Sequence, residues 1–124
     1  MIRSMTLFAA ALCLAPADAV RAEAAAPVLE IVSFKLMDNA DESAFVEAAR
    51  GTEAILRARG ALVRRYLVRD ESGLWTDVVE WTSMEAALAA AEAVISHPDF
   101  APFGSMIDGS TVDMRHAPIR WRMD

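Results

Sequence analysis

The sequence predicts an α+β domain in which a four-stranded antiparallel sheet carries two helices on one face. Three observations lead to that class. Four β-rich segments alternate with two stretches of helical periodicity. The middle two β segments are joined by a short loop ending in Gly73. Every β segment is apolar at both parities, so neither side of the sheet is designed for water.

The chain begins with a segment outside that pattern. Arg3 precedes the apolar run Met5–Leu14, and small residues follow at Ala17, Ala19 and Ala22. This is the layout of a secretory signal peptide, expected over 1–22 with cleavage near Ala19 or Ala22. Asp18 and Arg21 cut the run short of the ~20 apolar residues that a membrane span requires. A periplasmic or secreted protein with no stable membrane insertion after cleavage is the expectation. Residues 23–27 are an Ala-rich linker, and 28–124 form the domain.

Cys13, the only cysteine, lies in the apolar run, so the mature chain is expected to have neither disulfide nor thiol chemistry. The whole chain carries a net charge of −6, and losing Arg3, Arg21 and Asp18 takes it to −7. An acidic domain without a basic stripe predicts no nucleic-acid partner.

The elements follow in order. Val28–Leu36 reads as the first strand, interrupted by Glu30 and Lys35. Asn39 and Glu42 have capping-box spacing. Phe45, Ala48, Ala49, Thr52, Ile55 and Leu56 then fall on one stripe, which predicts a helix over 41–59 ending at Gly60. Ala61–Arg69 is the second strand, Asp70–Gly73 a hairpin loop, and Leu74–Trp81 the third strand. Thr82 and Glu85 repeat the capping-box spacing before a second helix with an apolar face of Ala87, Leu88, Ala91, Val94 and Ile95. Pro98 biases His97 out of the α region and stops that helix. Pro98–Met106 allows a short helical turn with Phe100 and Phe103 inward. Thr111–Ala117 is the fourth strand, and Ile119, Trp121 and Met123 alternate with Arg120 and Arg122 as an extra edge strand.

The order β-α-β-β-α-β is ferredoxin-like. Two helices cover one face only, and the other would leave an apolar patch of a kind that soluble monomers avoid. A homodimer closed sheet on sheet is the expected cover.

Val28–Ala117 resembles the antibiotic-biosynthesis-monooxygenase-like (ABM) domains of the dimeric α+β barrel superfamily. The stretches that carry the resemblance are VVEWTSMEAALAAAEA (Val78–Ala93), HPDFAPFGSMID (His97–Asp108) and TVDMRHA. It implies a shared scaffold with divergent chemistry, including oxygenation of phenols or quinols without metal or flavin. In the haem-opening branch a Trp and a His would fall at about Val94 and Gly104, and an Asn would lie on the first strand. Here the only Asn is Asn39, beyond that strand, and haem degradation is not expected.

Three residues are candidates for chemistry. His116, on the fourth strand, carries an imidazole of the kind suited to take a proton from a phenolic substrate; its plainer reading is a hydrogen-bonded packing residue. Asp77 lies either inside, paired with Arg64, Arg65 or Arg115 or raised in pKa as a base, or at the surface. His97 stands at a helix end, where interaction with the terminal carbonyls competes with a catalytic role. Trp75, Trp81, Tyr66, Phe100 and Phe103 are candidate walls for a small apolar or aromatic molecule, or else core and interface residues. Two histidines make no metal site, and GxGxxG, GxxxxGK[ST], GxSxG, HExxH and CxxC are all missing, so no cofactor or metal is expected. Cofactor-independent monooxygenation of a quinol-like substrate and a non-catalytic binding or scaffold domain are the two functional expectations.

Overall fold

The computed structural model describes residues 26–124, and the expected signal peptide and all but two residues of the linker lie outside them. Gly73, at φ +88°, closes the hairpin loop by adopting a conformation other residues avoid. Asp70 accepts from the backbone N–H groups of Ser72 and Leu74, so the loop is tied by the side chain at its start. Across it β2 (Leu62–Arg69) pairs with β3 (Trp75–Trp81). With β1 (Val28–Phe34) and β4 (Asp113–Pro118) they form an antiparallel sheet ordered β2-β3-β1-β4. The expected ferredoxin-like arrangement is therefore present.

Strand parity decides what each side chain meets. Val28, Glu30, Val32 and Phe34 of β1 and Trp75, Asp77, Val79 and Trp81 of β3 turn toward the helices. Two apolar clusters form beneath those helices. Trp81, Val28 and Val79 pack with Leu56, Ala87 and Val94, whereas Trp75 and Phe34 pack with Phe45 and Phe103. The opposite face holds Leu29, Ile31 and Val78, half-buried, with Tyr66 and Val68 exposed.

The helix expected over 41–59 is broken in two, α1 (Glu42–Gly51) and α2 (Glu53–Arg57). The cause lies at Thr52, fully buried between them. Its Oγ1 donates to the Ala49 carbonyl at 2.6 Å and its N–H to the same oxygen at 3.1 Å. Such back-bonding competes with the regular helical ladder. Asp41 caps α1 by accepting from Ala44 N–H, in place of the expected Asn39. Likewise Ser83 caps α3 (Met84–Ile95) by accepting from Ala86 N–H, in place of Thr82. In both cases the helix starts later than the capping-box spacing suggested, by two residues at Asp41 and by one at Ser83.

The buried stripe of α3 is Ala87, Ala90 and Val94. Leu88 and Ile95, expected inward, are exposed because the helix is rotated about its axis. Its alanines let the backbone approach the sheet. Beyond α3 come a 3-10 turn at Pro98–Phe100, a short α4 (Ala101–Gly104) and a second 3-10 turn at Gly109–Thr111. Thr111 thus precedes the fourth strand. The expected tail strand does not form. Ile119 N–H bonds the Pro27 carbonyl, then residues 119–124 leave the sheet ladder, with Trp121 and Met123 exposed. Among the described residues no helix is long and apolar enough to cross a membrane.

Candidate ligand site

A cavity of about 300 Å³ lies within one chain, between the helix-facing side of the sheet and the layer made by α3 and the Phe100–Val112 segment. α3 and that segment arch over the strands without filling the space. Leu56, Val79, Val94, Trp81, Phe100 and Phe103 give it apolar walls. Val112 and Met114, both exposed, stand at its edge. Such a space suits a small, mostly apolar ligand fixed by few polar groups.

Its polar groups are Glu30, Asp77, Arg65 and Thr52. Asp77 is buried, and Arg65 is the partner among the three arginines considered from sequence. Arg65 Nε donates to Asp77 Oδ1 at 2.9 Å and Nη2 to Oδ2 at 2.7 Å. This two-point geometry is the strong form of the ion pair. Arg65 Nη1 also donates to Thr52 Oγ1 at 2.8 Å and to the Ala49 carbonyl at 3.3 Å. The guanidinium carbon lies 5.3 Å from the Phe103 ring centroid, within cation–π range. One side chain therefore ties β2 to β3 and to the α1–α2 junction.

Glu30 is the feature that sequence reasoning passed over. It stands on a central strand among Val28, Val32 and Phe34, and is 9% exposed. His116, its cross-strand neighbour, places Nε2 2.8 Å from Glu30 Oε2. Burial raises the Glu30 carboxyl above the usual range, and the Asp77 charge adds to this. The His116 hydrogen bond and charge and the Arg65 charge pull the other way without cancelling it. The available signal was positional: a carboxylate shares the inward parity of three apolar residues.

The other candidates separate. Trp81 lines the cavity, and its buried indole N–H has no acceptor among the described residues. Trp75 stands away from the cavity, packed edge-on to Phe45 at 5.0 Å. Tyr66 lies on the open face of the sheet. His97 is exposed, and its Nδ1 accepts from Asp99 N–H at 3.1 Å, so it caps the following turn instead of the α3 carbonyls. His116 lies behind Glu30 and outside the lining. Among the described residues no three His, Cys, Asp or Glu side chains gather as a metal site.

No protein-family model matches the chain, and neither does any curated protein. Solved structures do match. SnoaB, a cofactor-independent oxygenase from Streptomyces nogalater, aligns in a point-variant form with TM-score 0.61 at 18% identity, over 80% of this chain and 98% of that one. A Bordetella bronchiseptica protein provisionally named an antibiotic biosynthesis monooxygenase aligns with TM-score 0.65 at 14% identity, over 77% and 99%. A Caulobacter crescentus protein with the same provisional name gives 0.60 at 14% identity, over 82% and 97%. The fold is that of an ABM-like domain.

Proposed function

We propose that this chain binds a small aromatic, quinol-like molecule in its cavity and oxygenates it with dioxygen, using no metal or organic cofactor. The observation that carries the reading is an apolar cavity among the described residues with buried carboxylates on its floor. SnoaB, which shares the fold, is by name a cofactor-independent oxygenase. In such a reaction the substrate loses two hydrogens and gains one oxygen. Counting the oxygen it gains as well as the two hydrogens it loses, the substrate is oxidised by four electrons, matching the full reduction of dioxygen: one oxygen atom enters the product and the other leaves with the two hydrogens as water.

The reading includes a homodimer built on the open face, where Leu29, Ile31, Tyr66, Val68 and Val78 offer apolar surface. It includes export, supported by the charge and apolar pattern of residues 1–22. Two copies closed over the open sheets leave both cavities on the outer, helical sides.

Oxygen uptake with a panel of quinols tests the activity. Uptake with at least one quinol, abolished by Ala91→Trp on the cavity wall, is the expected result. Binding of the panel without uptake would instead favour a non-catalytic small-molecule-binding domain, a reading supported by Asp77, Arg65 and Thr52 already being satisfied by one another. Sedimentation of the mature protein tests the dimer. A monomeric mass at micromolar concentration overturns it, and Val78→Arg is expected to produce one.

A further inference from the structure

Resting on the reading of the cavity as an aromatic-binding site, we propose that Glu30 accepts the proton of a ring hydroxyl bound there. His116 is then a positioning residue that holds the Glu30 carboxyl from the edge strand. Most polar atoms at the cavity are already engaged. Both Asp77 oxygens are occupied by Arg65, and Thr52 Oγ1 donates to Ala49 while accepting from Arg65. Glu30 Oε2 is occupied by His116. Glu30 Oε1 has no hydrogen-bond partner among the described residues and belongs to a side chain that lines the cavity.

A carboxylate oxygen only accepts hydrogen bonds. The chemistry it recognises is therefore a donor, and in an apolar cavity the fitting ligand is a flat ring bearing a hydroxyl. On transfer the O–H bond breaks, its electron pair stays on the ring oxygen, and the proton goes to Glu30 Oε1. No electron is gained or lost by the protein in this step.

The surroundings suit a base. The charged or titratable groups facing Glu30 are His116 from β4, Asp77 from β3 and Arg65 from β2. The helices and the Phe100–Val112 segment bring only uncharged lining residues, among them Leu56, Ala90, Val94 and Phe103. Burial holds the carboxyl above its ordinary value, which makes it a stronger base toward a ring hydroxyl. His116 reaches the carboxyl but not the cavity, so its influence on a ligand passes through Glu30.

The test compares para-nitrophenol with para-nitroanisole, the same ring with its hydroxyl methylated, by titration calorimetry across pH. Wild type is expected to prefer the phenol by about tenfold or more, the scale of a hydrogen bond to a charged group. That preference falls as pH is lowered through the Glu30 titration. Glu30→Gln is expected to reduce it to within about threefold and make it independent of pH, while nitroanisole affinity stays unchanged and reports an intact cavity. His116→Ala removes a contact that lowers the Glu30 pKa, so the midpoint moves to higher pH; His116→Gln, which still donates, moves it back.

Equal affinity for both probes in wild type, or a preference that survives Glu30→Gln, overturns the assignment of Glu30 alone. An unmoved midpoint in His116→Ala overturns the role of His116. Failure of both probes to bind overturns the cavity reading and this proposal with it. A preference without oxygen uptake in the quinol assay upholds Glu30 and overturns the oxygenase reading.

Discussion

Arg65 and Asp77 face each other across β2 and β3 with two nearly parallel hydrogen bonds, 2.9 and 2.7 Å, beneath the α1–α2 junction. Their strands are neighbours, yet the two are not directly opposite: Arg65 pairs with Val79, and Asp77 with Leu67. The arginine reaches diagonally and keeps Nη1 for Thr52 and Ala49. A buried carboxylate at the cavity floor is thereby neutralised before any ligand arrives.

Breaking that pair on one side leaves an uncompensated buried charge. Arg65→Met is expected to destabilise the fold by about 3 kcal/mol, read from the urea midpoint. The double variant Arg65→Met with Asp77→Leu is expected to recover much of the loss. Equal destabilisation of single and double variants would show that packing of the arginine stem, not charge, sets the cost.

Glu30 makes a signed contribution to stability with pH. Its folded pKa is raised, so the folded state holds the proton more tightly than the unfolded one. The stabilisation is fully present below the unfolded carboxylate pKa and is lost as pH rises through the folded value. Subtracting the urea stability of Glu30→Gln from that of wild type is expected to give a difference that falls over this window. A difference that rises there contradicts the raised value.

Gly104 is tight against Phe100. A Cβ added at Gly104 would come 2.7 Å from the ring, so the ring must shift. Since Phe100 lines the cavity, Gly104→Ala is expected to weaken aromatic binding severalfold and to cost about 1–3 kcal/mol of stability. A melting curve with nitroanisole titration checks both.

Trp81 carries a buried N–H without an acceptor among the described residues. Trp81→Phe removes that donor along with some packing volume. Its expected cost is below the about 3–5 kcal/mol typical of aromatic truncation to alanine. Denaturant melts of Trp81→Phe and Trp81→Ala side by side supply the comparison.

The strands and their parity were legible because alternation survives in β1 and β3 whatever covers them. Trp75, Asp77, Val79 and Trp81 share a face, as period two requires. The break at Thr52 was not legible. It depends on a threonine on the apolar stripe turning back on its own helix and on an arginine arriving from β2, 13 residues away. Glu30 was noticed only as an interruption in a strand, because its meaning rests on His116, 86 residues distant. Asp77 was identified as a candidate and its set of partners included Arg65, but only the fold selects one arginine from three. The cavity under α3 was not legible, since sequence pattern gives a helix's apolar stripe without saying how high it stands above the strands.

Glu80 looks out from the open side of the sheet, gripped by Arg64 on β2 and by Arg122 near the chain's end. That grip makes the last few amino acids part of the sheet's charge balance. Removing Arg122 would leave one guanidinium to do the work of two and add negative potential on the side where a second copy is proposed to seat. Arg122, outside every strand, is thus a structural residue of the sheet.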